Sequence, residues 1–173
     1  KENFRYNKKK NKSKIVSLTA YSKNVASILD NFCDIILVGD SLGSVLYNYN
    51  STRDVTLTEM INHSKSVRLA VKKSLMVVDM PYNTYATNTS ALKNAKKIIK
   101  YTKCDAVKLE GGKKIIKQIK FLIKNKIKVM GHLGLLPQTT KGKFKSKGKT
   151  NKQKKQLWND AISLEKSGVF AIV

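Results

Sequence analysis

The chain has 173 residues, with 35 Lys and Arg against 11 Asp and Glu, for a formal net charge of +24. That length suits one domain, and no apolar run approaches the ~20 residues needed to cross a bilayer. The charge would ordinarily suggest nucleic acid or an anionic membrane, yet all but Arg5, Arg53 and Arg68 of the basic residues are Lys, whereas base-edge and bidentate phosphate readout favour Arg.

Residues 1–14 form a basic polar arm, too poor in Arg and in apolar periodicity to be a transit peptide. A first strand is predicted at 15–20 and a second at 35–39, closed by Asp40. The capping-box pattern Thr56-Leu57-Thr58-Glu59 opens a helix over 56–72 with Met60, Val67 and Val71 on one face. A third strand at 75–78 is closed by Asp79. A helix over 88–100 follows, carrying Ala91, Leu92, Ala95, Ile98 and Ile99 at helical spacing. A fourth strand at 106–109 is closed by Glu110, and after Gly111-Gly112 a helix buries Ile115, Ile116, Ile119, Leu122 and Ile123. A fifth strand at 127–131 ends in His132. The basic stretch 141–155, with Gly142 and Gly148, predicts a mobile loop over the mouth of a site. A last helix, 151–166, turns Leu157, Ala161 and Leu164 inward and stops at Gly168 before a sixth strand at 169–173.

Strands alternating with helices define an α/β chain with a parallel sheet. An open doubly wound sheet can stop at six strands, whereas a (β/α)₈ barrel needs eight and usually about 250 residues. The chain starts on Lys and ends inside an apolar run, so both ends are expected to be cut. The Lys surplus, spread over every predicted helix beside many Asn and Ile, has the pattern that an AT-rich genome writes onto solvated positions. Salt-sensitive polyanion binding is expected, and no specific nucleic-acid or membrane partner. Cys33 and Cys104 match no metal spacing and no disulfide framework. Each precedes a strand, on the side away from the acids, and both are expected to be reduced, buried and inert. A cytoplasmic location follows.

Parallel strands joined by helices point their carboxyl ends to one side of the sheet. Asp40, Asp79 and Glu110 would therefore converge on one mouth, with His132 beside them. Three carboxylates in one pocket repel unless a cation sits among them, and an all-oxygen set suits Mg²⁺ or another hard divalent ion. Lys108, two residues before Glu110, points to the same face of its strand and could pair with a substrate carboxylate. Ser41, flanked by Gly39 and Gly43, offers a hydroxyl and close backbone approach to an anion. A small acid with a neighbouring carbonyl would suit such a site. Taken singly, these residues have plainer roles: Asp40 as a helix N-cap, Glu110 paired with Lys108 or Lys113, His132 as a hydrogen-bonded structural residue, and His63, mid-helix, as a surface or packing residue. Their combination points to a site.

Five ordered strings carry a resemblance: Leu18-Thr19-Ala20-Tyr21; Val38-Gly39-Asp40-Ser41-Leu42-Gly43; Asp79-Met80-Pro81-Tyr82 with Tyr85-Ala86-Thr87; Val107-Lys108-Leu109-Glu110-Gly111-Gly112; and Gly131-His132-Leu133-Gly134-Leu135 with Pro137-Gln138. From about Ile15 onward the chain resembles the ketopantoate (3-methyl-2-oxobutanoate) hydroxymethyltransferase family of pantothenate biosynthesis. The resemblance implies a (β/α)₈ TIM barrel, here truncated after about six strands, with 15–173 as the N-terminal part of one catalytic domain, in a homo-oligomer, usually a decamer. It implies Mg²⁺ held by Asp40 and Asp79, with Glu110 completing the site. It places the 2-oxo acid on Asp40, Ser41, Asp79 and Lys108, with Ser41 and Lys108 on its carboxylate, and gives His132 a supporting role. The implied reaction transfers a one-carbon unit from 5,10-methylenetetrahydrofolate to the enolate of 3-methyl-2-oxobutanoate.

Two departures stand out. Ser22 replaces the family's usual Asp after Thr-Ala-Tyr, and the loop over 141–150 keeps only fragments of a Gly-rich segment. The family's general base is a Glu at the end of the sixth strand, beyond Val173, so the isolated chain is expected to be an inactive fragment. Alternatives are an inactive remnant with a polyanion-binding surface, and a related Mg²⁺-dependent barrel acting on phosphoenolpyruvate-like or isocitrate-like acids. The Lys108-Leu109-Glu110-Gly111-Gly112 string argues against the second.

Overall fold

The computed structural model describes residues 5–140 and 144–173. Six strands, β1 (Ser17–Thr19), β2 (Ile35–Val38), β3 (Leu75–Asp79), β4 (Ala106–Glu110), β5 (Val129–His132) and β6 (Ala171–Ile172), form one sheet in the order β1-β2-β3-β4-β5-β6. Every neighbouring pair is parallel. A doubly wound sheet reverses its strand order at a switch point. This order never reverses, so successive crossovers lie on one face and the sheet is wound as a barrel wall.

Side-chain alternation divides the core in two. Ile36, Val38, Met76, Val78, Val107, Leu109 and Val129 belong to the layer under the helices. Ile35, Leu75, Val77, Ala106 and Met130 cluster on the other face. Burial on both faces explains why β3 and β4, buried at every position, are near-continuous apolar runs.

The crossover helices α4 (Leu57–Arg68), α5 (Asn88–Thr102), α6 (Ile116–Lys124) and α7 (Asn151–Lys166) follow the predicted apolar stripes. The Thr56 cap is realised in both directions: Glu59 N–H donates to Thr56 Oγ1 at 3.2 Å and Thr56 N–H to Glu59 Oε2 at 2.6 Å. The third predicted helix starts as a 3₁₀ turn, Gly112–Ile115, because Gly111 and Gly112 both have positive φ. Gly168, φ +91°, lies just past the end of α7 as expected. Three short helices carry no readable sequence signal: α1 (Arg5–Lys9), α2 (Lys23–Leu29), whose one buried residue is Ala26, and α3 (Leu42–Tyr47). In the first, Tyr6 is buried in the inner cluster, donates to Phe170 O at 2.9 Å and meets the Phe170 ring edge-on. The basic stretch at the start of the chain thus supplies a side chain to the inner core.

Acidic residues also mark the amino ends of the strands. Asp30 accepts N–H bonds from Lys72, Lys73 and Ser74 at 2.9, 3.0 and 2.8 Å. Asp34 accepts from Val16 N–H at 2.8 Å and pairs with Lys9 at 3.0 Å. Asp105 accepts from Met76 N–H at 3.0 Å and faces Arg68. Cys33 and Cys104 are buried near this end, and burial pushes Cys104 up to about 11. Among the described residues no helix is long and apolar enough to cross a membrane.

Candidate active site

The carboxyl ends of β2, β3, β4 and β5 bring Asp40, Asp79, Lys108, Glu110 and His132 to one mouth. Lys108, Asp79 and Glu110 are all buried, at 8%, 3% and 4% exposure. Register explains this. Asp79 pairs with Lys108 and Glu110 with His132 across adjacent strands. All four side chains therefore lie on the inner face, two or four positions beyond Val77, Ala106 and Met130.

Asp79 is held from two sides. Its Oδ2 accepts Asp40 N–H at 3.2 Å, and its Oδ1 lies 2.8 Å from Lys108 Nζ. Lys108 thus pairs with Asp79, and Glu110 pairs with neither Lys108 nor Lys113. Its Oε1 accepts Gln138 N–H at 2.8 Å and its Oε2 lies 3.4 Å from His132 Nδ1. Ser41 Oγ and Tyr21 OH share a 2.7 Å hydrogen bond. His63 packs behind this pair, its Nδ1 2.7 Å from Tyr21 O and its Nε2 2.6 Å from Tyr47 OH.

The electrostatics are frustrated at one point. Burial and the neighbouring Asp79 charge push the Asp40 carboxyl up to about 6, against the hydrogen bond from Gln138 and the charge of Lys108. Gly39 keeps the adjoining space open. A Cβ there would stand 3.0 Å from Ser41 Oγ and 3.6 Å from Asp79 Oδ2. Two facing carboxylates, one of them holding its proton too tightly, form an oxygen donor set of the kind a hard divalent ion satisfies. Glu110 is turned to His132 and Gln138, and among the described residues no three His, Cys, Asp or Glu side chains stand close enough to cage an ion as placed.

Sequence reasoning named Asp40, Ser41, Asp79, Lys108, Glu110 and His132 and gave no role to Gln138, Tyr85 or Arg53. Gln138 is 3% exposed. It donates from Nε2 to Asp40 Oδ2 at 2.7 Å and to Met80 O at 3.0 Å. Tyr85 OH shares its one proton between Gln138 Oε1 and Glu110 O, and burial beside Glu110 raises its phenol so that it stays a donor. Arg53 donates from Nε to Gln138 O at 2.7 Å and stacks over Tyr82. Their signal was an uncharged polar residue, Gln138, inside the string that follows β5. Beside Glu110 opens a cavity of about 580 Å³ lined by Tyr82, Tyr85, Ile115, Leu157, Asp160 and Lys147. Lys147 comes from the basic stretch expected to cover the mouth, of which residues 141–143 lie outside the described residues.

A one-way wound parallel sheet with buried acids and a Lys at its carboxyl mouth defines a barrel of the TIM class. Solved structures agree on the fold. Phosphonopyruvate hydrolase in complex with oxalate and Mg²⁺ superposes with a TM-score of 0.69 at 10% identity, covering 91% of this chain and 56% of that one. Phosphoenolpyruvate phosphomutase from Streptomyces platensis subsp. rosaceus gives 0.68 at 13%, covering 94% and 60%. The family comes from sequence. The family model for ketopantoate hydroxymethyltransferase matches residues 3–173. The 3-methyl-2-oxobutanoate hydroxymethyltransferase of Pelagibacter ubique (strain HTCC1062) is 67% identical over 166 residues, covering 96% of this chain and 64% of the relative. That of Anaplasma marginale (strain St. Maries) is 47% identical, covering 95% and 60%. The chain belongs to the ketopantoate hydroxymethyltransferase family. It spans 64% and 60% of the length of these two relatives.

Proposed function

We propose that these residues form the metal- and oxo-acid-binding part of a hydroxymethyltransferase that converts 3-methyl-2-oxobutanoate to 2-dehydropantoate, taking the one-carbon unit from 5,10-methylenetetrahydrofolate, in pantothenate synthesis. The observation that carries the reading is the buried Asp40–Asp79–Lys108 cluster at the mouth of a chain of this family. The donor set fits Mg²⁺, which Asp40 and Asp79 would hold, with Glu110 completing the site. A bound Mg²⁺ supplies Lewis-acid polarisation of the 2-oxo group.

The chain's own residues do the rest of the binding. Lys108 and Ser41 hold the substrate carboxylate, Lys108 by charge and Ser41 by its hydroxyl, which Tyr21 orients. Asp40 and Asp79 fix the 2-oxo end, and His132 steadies Glu110. We place the one-carbon donor in the cavity beside Glu110, since it opens at the end of β4 next to the oxo-acid position. The C3 proton leaves to a carboxylate, expected from a Glu following β6, and the resulting enolate carbon bonds to the donated methylene. Water supplies the hydroxyl oxygen as the two nitrogen–methylene bonds of the donor break, and tetrahydrofolate leaves with its nitrogens taking up the released protons. Residues 1–173 expressed alone are expected to be inactive, because among the described residues β1 and β6 are the edges of an open sheet. The whole protein is expected to work in the cytoplasm as a homo-oligomer. Exposed Ile28, Phe32 and Leu69 supply apolar surface for assembly.

The test uses the full-length protein with 3-methyl-2-oxobutanoate, the folate donor and Mg²⁺, with product read by mass spectrometry. The reading predicts 2-dehydropantoate, its loss on chelation, and its loss in Lys108→Ala. Turnover that survives Lys108→Ala unchanged would remove Lys108 from the substrate.

A further inference from the structure

Asp40 follows β2 and Glu110 ends β4, and both are hydrogen-bonded to the same third residue. Gln138, in the segment after β5, has every polar group committed. One Nε2 hydrogen goes to Asp40 Oδ2 at 2.7 Å and the other to Met80 O at 3.0 Å. Its Oε1 accepts from Tyr85 OH, its backbone N–H donates to Glu110 Oε1 at 2.8 Å, and its backbone O accepts from Arg53 Nε at 2.7 Å. At 3% exposure none of these bonds can be exchanged for water without cost.

The amide orientation is determined as well as its position. A Gln side chain could present either end to Asp40, but Met80 O can only accept and Tyr85 OH has a proton to give. Nε2 must therefore face Asp40 and Oε1 must face Tyr85. The carboxylate is then fixed by a neutral donor that adds no positive charge to compete with a cation.

We infer that Gln138, oriented by Tyr85, is a positioning residue that holds the Asp40 carboxylate and Glu110 in one constellation for the divalent ion. This deepens the proposed function and rests on it. The ion's direct ligands commonly depend on such outer partners, and losing one costs about 10–100-fold in metal affinity.

The test measures the Mn²⁺ dissociation constant by calorimetry on the full-length protein, alongside its thermal midpoint without metal, for Gln138→Ala, Gln138→Asn and Tyr85→Phe. Asn keeps the backbone bonds to Glu110 and Arg53 but is one methylene too short to reach Asp40. The expected result is an affinity loss of about tenfold or more for Asn and Ala. A smaller loss in the same direction is expected for Tyr85→Phe, and none beyond that of Gln138→Ala in the double variant. Wild-type Mn²⁺ affinity in folded Gln138→Asn, with only a lowered midpoint, means a purely structural role and overturns the inference. If Gln138→Ala and Gln138→Asn do not fold, Tyr85→Phe decides alone, since it removes one oxygen and keeps the ring. Unchanged affinity there overturns the inference as well. Failure of the wild-type protein to bind Mn²⁺ overturns the proposed metal site itself, which separates the two claims.

Discussion

The two ends of the sheet carry the same residue types under opposite conditions. At the amino end, Asp30, Asp34 and Asp105 accept backbone N–H groups, and Asp34 and Asp105 also face a cation. For Asp30, burial works to raise the carboxyl, but the N–H bonds from Lys72, Ser74 and Lys73 outweigh it and hold it below its ordinary value. At the carboxyl end, burial and the Asp79 charge win over the hydrogen bond from Gln138, and Asp40 is pushed up. A carboxylate that joins two loops is matched to its neighbours. Asp40 is left in excess, as the proposed metal site requires, and this mismatch distinguishes the two ends of the sheet.

The largest effect should come from removing the mouth's buried cation. Lys108→Met leaves Asp79 and Asp40 facing each other without their buried countercharge, and breaking a buried pair this way costs about 3–5 kcal/mol. Denaturant unfolding of the full-length protein should show that loss without divalent ions and a smaller one with Mg²⁺. An equal loss in both conditions would put the divalent ion elsewhere. At the other end, Asp30→Ala strips one acceptor from three N–H groups and should cost about 1–3 kcal/mol, with Mn²⁺ affinity unchanged. A change in metal affinity there would break the division between the two ends.

The pH dependence should have opposite sign at the two ends. Asp40 has a folded value near 6, above its ordinary 3.8. Its contribution to stability is therefore fully present below about 3.8 and is lost as pH rises through about 6. Asp30, held below 3.8, contributes above its ordinary value and loses that contribution as pH falls through its depressed one. Without divalent ions the thermal midpoint should rise as pH is lowered from 7 to about 5. In Asp40→Asn that rise should be absent, while the acid loss governed by Asp30 remains. A wild-type midpoint that is flat between pH 7 and 5 would contradict the crowding at Asp40.

The charged half of this division was legible in the chain because it lies at strand ends. Asp40, Asp79, Glu110 and Lys108 each close or nearly close an apolar run, and parallel strands bring such positions together. The runs predict parallel strands but not their order, so the one-way winding that separates a barrel wall from a doubly wound sheet came from the resemblance and the structure. The amino-end acids precede strands instead of closing them, and their partners are backbone N–H groups of distant loops, which no sequence pattern displays. Gln138 has the same difficulty, since its importance lies in partners drawn from several separate segments. The helices α1, α2 and α3 are too short for an apolar stripe to register, and Tyr6 stands just before a run of Lys with no periodic apolar partners.

The smallest expected effect tests whether the space beside the carboxylates is functional. Gly39→Ala adds one methyl where it would meet Ser41 Oγ at 3.0 Å, the mobile end of a side chain, and Asp79 Oδ2 at an ordinary 3.6 Å. Gly39 is not among the glycines with positive φ, so Ala is tolerated by the backbone. Ser41 must give by a few tenths of an ångström, which bends its bond to Tyr21 OH. Stability should change by about 1 kcal/mol or less, because no packed apolar contact is lost. Affinity for 3-methyl-2-oxobutanoate should fall, because the methyl group occupies the approach to Ser41 and Asp79. Calorimetric titration of the Mg²⁺-loaded full-length protein measures that affinity directly. A Gly39→Ala protein that binds the oxo acid as tightly as wild type would mean that the opening beside Asp79 is only a packing feature. The substrate would then have to approach the carboxylates from the Glu110 side.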